Sequence, residues 1–279
     1  MPHIDHRALV DTAWLADRLG DDKIRIIEVD EDSSLYEQSH IPGAIAWSWS
    51  TDLHHATRRD YLDQDGFSDL LSAAGVGADT TVVLYSGNNN WFAAYAYWLL
   101  TYRGLDRVKL LDGGRKKWEL DGRALTNDRP ASSPSDSRIA GPERAELRVF
   151  RDEVLAAVGS ATFIDVRSPE EFSGEKLAPD HLPQEQPYVV GTSRAPQTFP
   201  GAGPPTIGTF KDTEELRAIY GDAGVTADTE TIAYCRIGER SAHTWFVLHE
   251  LLGHENARNY DGSWTEYGSL VNVPVEVGA

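Results

Sequence analysis

Val82-Val83-Leu84-Tyr85-Ser86 and Thr231-Ile232-Ala233-Tyr234-Cys235 are the stretches that decide how this chain folds, because they are two copies of one element. Each is a short β-branched, apolar run of the kind that forms a buried strand. A polar loop follows each, then a helix-like apolar stretch that stops at Gly104 or Gly253, glycine being the usual residue just past a helix end. An Asp-Gly pair comes next, Asp112-Gly113 or Asp261-Gly262. Ser86 and Cys235, Gly104 and Gly253, Asp112 and Asp261 are all separated by 149 residues. Chance does not readily hold one offset across a strand, a helix end and a turn. Upstream, Ile26-Ile27-Glu28-Val29-Asp30 matches Phe163-Ile164-Asp165-Val166-Arg167 as a further strand pair, with Tyr36-Glu37 and Phe172 at similar distances.

Alternating strands and helices imply an α/β fold, with two tandem domains that are each a mainly parallel sheet flanked by helices. The period is too long for a solenoid, so this is a tandem duplication. Arg129-Pro130-Ala131-Ser132-Ser133-Pro134-Ser135-Asp136-Ser137 has linker composition. The expected boundaries are residues 1–128, a linker over 129–145, and 146–279.

Composition narrows the function. Of 279 residues, 26 are Lys or Arg and 44 Asp or Glu, a net charge of −18, which argues against a phosphate-backbone binder and hence against nucleic acid. A single cysteine excludes an intrachain disulfide and any thiolate-rich zinc or iron–sulfur site. His243, His249 and His254 make no convincing ligand set, so neither metal nor organic cofactor is expected. The N-terminal Met1-Pro2-His3-Ile4-Asp5-His6-Arg7 lacks an apolar run behind its charges, and Trp91 to Leu100 is too short to span a bilayer. A soluble cytoplasmic protein without a membrane partner, monomeric or weakly dimeric, is the expectation.

That leaves one thiol to explain. Cys235 ends a buried strand and precedes a helix that begins near Ser241, with Arg236-Ile237-Gly238-Glu239-Arg240 between them. Such a loop turns several backbone N–H groups inward as an anion nest, at the end of the sheet where α/β proteins bind ligands. A thiol placed there is expected to have a depressed pKa, helped by Arg236 and Arg240. Gly238 permits the tight backbone. The alternative, a cysteine that simply fills the core, leaves two arginines and a glycine without a reason.

Cys235-Arg236-Ile237-Gly238-Glu239-Arg240-Ser241 resembles the active-site loop of two-domain rhodaneses, the thiosulfate sulfurtransferases. His40-Ile41-Pro42-Gly43-Ala44, preceded by Tyr36, is similar to the family's N-terminal signature, although Trp47 stands where a smaller apolar residue is usual. Ala257-Arg258-Asn259-Tyr260-Asp261-Gly262-Ser263-Trp264-Thr265-Glu266-Tyr267 matches its C-terminal signature. Asp112-Gly113-Gly114-Arg115-Lys116-Lys117-Trp118 corresponds to that signature in the first half. The resemblance implies that the Cys235 thiolate takes the outer sulfur of thiosulfate, releases sulfite, and passes the sulfur from a persulfide to a thiophilic acceptor, cyanide or a thiol. It also implies that Arg236, Ile237, Gly238, Glu239, Arg240 and Ser241 surround the substrate, the two arginines facing the sulfonate oxygens. Cysteine phosphatases place their arginine one position further from the cysteine, so this shorter loop favours sulfur over a phosphoryl group. Mercaptopyruvate sulfurtransferases usually carry a small residue where Arg236 stands, which favours thiosulfate as donor. A non-enzymatic persulfide carrier or redox-sensing module is a third possibility of a different class.

Among the remaining residues, Asp165 and Arg167 are either supports for the catalytic loop or an ordinary strand-end ion pair. Glu239 reads as solvated, and Arg115-Lys116-Lys117 as a solvated helix face. Trp264 and Tyr267 are expected in the second core. Ser86 stands where Cys235 does and cannot form a persulfide, so the first domain is expected to be non-catalytic. Asn88-Asn89-Asn90 reads as a helix-capping loop. Finally, residues 188–207 break the repeat. A Gly-His-Ile-Pro-Gly-Ala signature belongs there, and a shifted reading frame of the encoding nucleotides can supply it. As written, the segment is expected to lose a strand and form a poorly packed loop.

Overall fold

The computed structural model describes residues 7–87, 89–130, 133–135, 142–177, 189, 192–193, 196–198 and 208–277. The chain divides into two compact units, one of residues 1–144 with 204–210 and one of 145–203 with 211–279.

In the first unit the strands β1 (Leu9–Val10), β2 (Ile24–Asp30), β3 (Ala44–Ser48), β4 (Thr81–Tyr85) and β5 (Val108–Leu111) form one sheet in the order β1-β5-β4-β2-β3. Every pairing in it is parallel. Parallel strands need crossovers that cover both faces, which is why β4 is an uninterrupted apolar run and not an alternating one. The helix Trp91–Tyr102 after β4 is apolar on every side, and all but its first residue are buried. Its Tyr95, Trp98 and Tyr102 meet Tyr61 and Trp49 largely edge to face, the arrangement that aromatic quadrupoles favour. His40-Ile41-Pro42-Gly43-Ala44 forms the turn into β3: Tyr36 stacks on His40 at 3.9 Å and its O–H donates to the Ala44 carbonyl at 2.9 Å.

The second unit repeats the plan. The strands β6 (Thr162–Asp165), β7 (Thr192–Ser193), β8 (Pro196–Thr198), β9 (Thr231–Tyr234), β10 (Ala257–Asn259) and β11 (Val275–Glu276) are arranged as a parallel sheet β10-β9-β6-β8 and a separate antiparallel pair β11-β7. The β10-β9-β6-β8 order is that of β5-β4-β2-β3, and a lone parallel bridge from Arg148 to Asn259 stands where β1 pairs with β5. Phe163, Tyr234, Tyr260, Trp264 and Tyr267 are buried aromatics of one cluster in its core. Both glycines that end the long helices have positive φ, +88° at Gly104 and +74° at Gly253.

Two expectations change. The strand thought to be lost in the irregular segment is present as β8, which pairs with β6 from Phe163↔Pro196 to Asp165↔Thr198. β8 is the edge of the sheet, where a proline's missing N–H is tolerated; apart from Val189, Thr192–Ser193 and Pro196–Thr198, residues 188–207 lie outside the described residues. In the stretch assigned to a linker, Ser135 N–H donates to the Ser72 carbonyl (3.0 Å) and Arg144 N–H to the Tyr102 carbonyl (2.7 Å). Those residues are hydrogen-bonded into the first unit. Among the described residues no helix is long and apolar enough to cross a membrane.

Residues 208–210 also belong to the first unit. There Phe210 N–H donates to the buried Asp112 carboxylate at 2.8 Å. Burial pushes the Asp112 carboxyl up to about 6 from its ordinary 3.8, outweighing the Phe210 donor and the Lys117 charge. An acid whose folded pKa is raised holds its proton more tightly in the native state, so stability is lost as pH climbs from about 4 to about 6. The penalty at neutral pH is at most about 3 kcal/mol. Asp112→Asn keeps the acceptor for Phe210 and removes the charge. Urea unfolding is expected to show this variant more stable than the parent at about pH 7.5, with the difference vanishing near pH 4.

Candidate active site

Cys235 lies at the C-terminal end of β9, the strand between β6 and β10, and the helix Glu239–Trp245 starts four residues later. This helix continues as a π-helical turn over Phe246–Leu251. The loop between strand and helix folds back on the sulfur. Gly238 N–H donates to Cys235 Sγ at 3.1 Å, and the Ser241 backbone N–H addresses the same atom. Ser241 Oγ donates to the Gly238 carbonyl at 3.0 Å and sits 3.8 Å from the sulfur. Gly238 has φ +103°, and a Cβ there would lie 3.1 Å from the Cα and carbonyl oxygen of Asp261. The left-handed φ and that tight approach both favour glycine. Asp261 is held in turn by a two-pronged pair with Arg148, at 2.9 and 3.0 Å.

The charges around the thiol are arranged differently from the sequence expectation. Glu239 was expected in solvent. It is buried, and Cys235 S–H donates to its Oε2 at 3.3 Å. The thiol pKa is consequently raised, not depressed: burial and the Glu239 carboxylate push it up, outweighing Arg240 and the backbone donors. Anion nests stabilise a thiolate, but here a buried carboxylate faces the same sulfur and favours the proton.

Arg240 is committed to carboxylates. Its Nη1 donates to Glu171 Oε2 at 3.0 Å and its Nε lies 3.4 Å from Glu239 Oε1. Burial opposes the Arg240 charge, but Cys235, Glu239 and Glu171 together hold its pKa above the usual range. Glu171 is likewise buried, and Arg240 outweighs the burial to keep its pKa low. Arg236 is wholly buried; its carbonyl accepts the Thr265 N–H at 3.1 Å. Ile237 is also buried.

Asp165 and Arg167 pair with each other. Arg167 Nε and Nη2 donate to the Asp165 carboxylate at 2.6–3.1 Å, and the guanidinium lies 4.6 Å over the Trp264 ring. Thr192 completes this cluster. Its Oγ1 donates to Asp165 Oδ2 at 3.1 Å and meets the Tyr234 hydroxyl at 2.7 Å.

Three contributors escaped the sequence argument. Glu171 belongs to the helix Pro169–Ser173, where Ser168 and Glu171 form a reciprocal capping box; the motif Ser168-Pro169-Glu170-Glu171 signals that box, but not the arginine it addresses. Thr192 falls in the irregular segment and carries no signal. Ser263 accepts the Cys235 N–H on its Oγ at 3.1 Å while holding φ +51°. The repeat does mark this position, because the residue 149 earlier is Gly114 at φ +52°.

The first unit has the same frame with other chemistry. Ser86 is buried at the place of Cys235, with Asn90 at the place of Glu239. Asn90 Oδ1 accepts the Ser86 N–H (2.9 Å) and Nδ2 donates to the Leu111 carbonyl (2.6 Å). It bonds the strand end, where helix capping was expected. Arg115, expected in solvent, is buried against Glu28 at 3.1 Å, with Nε on Glu119 at 3.0 Å. Asn88 lies outside the described residues.

Comparison with known proteins agrees with the repeat. The family model described as a rhodanese-like domain matches twice, at residues 11–121 and 150–270. A Mycobacterium bovis protein with the provisional name thiosulfate sulfurtransferase 1 is 56% identical over 278 residues, covering 97% of this chain and 98% of its own. A Thermus thermophilus protein named sulfur carrier protein TtuD is 44% identical over 285 residues, 100% and 99% of the two chains. Among solved structures, an anaerobic ergothioneine biosynthesis enzyme from Chlorobium limicola superposes with a TM-score of 0.84 at 21% identity, over 98% of this chain and 71% of that one. At that identity the match speaks for the fold.

The Ser263 geometry makes a stability prediction. Ser263→Ala leaves the buried Cys235 N–H without its acceptor and is expected to cost about 1–3 kcal/mol in urea unfolding. Ser263→Gly loses the same acceptor but relieves the left-handed backbone, worth about 1 kcal/mol, and is expected to be the milder variant.

Proposed function

We propose, for a chain that belongs to the rhodanese-like domain family and is a sulfurtransferase of that type, that thiosulfate is the sulfur donor and Cys235 the atom that carries the sulfur. The observation that carries this is the Gly238 N–H aimed at Sγ from 3.1 Å in the chain's only cysteine loop. A backbone donor fixed there stabilises negative charge on sulfur wherever it develops. The Cys235 thiolate attacks the sulfane sulfur, the bond to the sulfonate sulfur breaks, and its electron pair leaves with sulfite. Cyanide or a thiol then attacks the outer sulfur of the persulfide and restores the thiolate, so ping-pong kinetics are expected.

Arg236, the residue that follows Cys235 in the chain, is the cation we assign to the sulfonate oxygens. Arg240 is assigned to holding Glu171 and Glu239, because both carboxylates already engage its guanidinium. The first unit, with Ser86 in place of the cysteine, is assigned no turnover. The full-length likeness to a protein named as a sulfur carrier favours a second reading, in which the persulfide is handed to a protein partner and not to a small thiophile.

Intact mass before and after thiosulfate tests both. The parent is expected to gain the mass of one sulfur atom and lose it to cyanide as thiocyanate through many turnovers, while Cys235→Ser gains nothing. Uptake without turnover points to the carrier. Faster turnover from 3-mercaptopyruvate than from thiosulfate overturns the donor assignment, and no uptake from either donor overturns the function.

A further inference from the structure

Resting on that sulfurtransferase reading, we propose that Glu239 is a catalytic proton shuttle, which takes the proton of the Cys235 thiol and delivers it to the departing sulfite. Glu239 is 4% exposed, and its two oxygens do different things. Oε1 is anchored by Arg240 at 3.4 Å, and Arg240 is anchored by Glu171, itself fixed in the capping box with Ser168. Oε2 is left facing the sulfur at 3.3 Å, within reach of the S–H proton. A base held at that distance from the reacting atom, with its rotamer fixed through its second oxygen, is the arrangement that general acid–base transfer requires.

The duplicated half supplies an internal control. At the equivalent position Asn90 uses its Oδ1 to satisfy the backbone N–H of Ser86. In the second half that backbone duty passes to Ser263 Oγ, at a left-handed backbone where the first half has Gly114. A non-glycine residue in that conformation is unfavourable by itself. The exchange leaves the side chain at 239 with no backbone group to satisfy and turns it onto the sulfur. The asymmetry follows the chemistry: the half with a thiol carries a carboxylate, and the half with a hydroxyl carries a neutral amide.

The step balances. The thiol proton passes to the Glu239 carboxylate, and the thiolate attacks the sulfane sulfur. The bond to the sulfonate breaks with its electron pair on sulfite, and Glu239 returns the proton to that sulfite. A thiol and a thiosulfate dianion become a persulfide anion and hydrogensulfite, with two negative charges on each side. The other charged groups of the loop and of the elements packed on it are Arg240 on the same helix, Arg236 next to Cys235 in sequence, Glu171 from Pro169–Ser173, and the Asp261–Arg148 pair beyond Gly238.

The test is single-turnover sulfite release, without acceptor, by the parent and Glu239→Gln across the neutral and alkaline range. The variant is expected to be slowed about a hundredfold near neutral pH, to accelerate with hydroxide as solvent takes over the proton, and to reach the parental persulfide yield by mass. Should Glu239→Gln fail to fold, Glu239→Ala with added formate serves, and formate is expected to restore the rate in proportion to its concentration. An unchanged or faster rate in Glu239→Gln, or no formate rescue in Glu239→Ala, overturns the shuttle while the sulfurtransferase reading stands. A parent that takes up no sulfur overturns that reading itself.

Discussion

Everything at this site depends on one contact, the Gly238 amide pointing into Cys235 Sγ at 3.1 Å. It depends on the backbone at residue 238 adopting φ +103° beside Asp261, where a Cβ would crowd that residue's backbone at 3.1 Å. Closing the loop in that way removes the sulfur from water and buries with it Arg236, Glu239 and Glu171, with Arg240 largely covered beside them. Burying a charge is costly unless it is paired and hydrogen-bonded, and the charges here form a chain in which each carboxylate meets a donor. Glu171 meets Arg240, Arg240 meets Glu239, and Glu239 meets the thiol. The thiol is the terminus of that chain. Burial, and then the Glu239 carboxylate in the same enclosed space, raise its pKa and favour the protonated thiol.

The two halves show how much of this belongs to the scaffold and how much to the chemistry. The strand order, the glycine-ended helices and the acidic residue at Asp112 and Asp261 are common to both. So is a buried carboxylate–guanidinium pair beside the central strand, but it is built from different positions. Asp165 uses Arg167, two residues along its own strand end, whereas Glu28 uses Arg115 from the helix Gly114–Leu120. Glu28 and Asp165 are equivalent by register, opposite Tyr85 and Tyr234 respectively. The guanidinium is thus retained while its source moves, and the position of Arg115 is taken in the second half by Trp264, over which Arg167 lies.

The fold was legible because duplication writes itself as a constant offset, and because parallel strands buried on both faces read as short apolar runs. Cys235, Gly238 and the loop between them were legible because a strand end, a glycine and two cations carry a local geometric meaning. What was not legible is burial. Glu239 and Arg115 look like solvated residues until the fold covers them, and burial together with the Glu239 carboxylate moves the thiol pKa up where the loop's donors and cations alone would move it down. Thr192 and Glu171 come from elsewhere in the chain, and local sequence says nothing about the partners a fold brings to them. Ser263 was within reach, since the repeat pairs it with a glycine and so marks a left-handed backbone that a side chain must have a reason to occupy.

Diffraction from crystals soaked in thiosulfate tests the account most directly. A second sulfur is predicted on Cys235 Sγ, its outer atom within hydrogen-bonding distance of the Gly238 N–H and Glu239 no longer accepting from the sulfur. An unmodified Sγ still bonded to Glu239, with thiosulfate bound elsewhere on the chain, contradicts it.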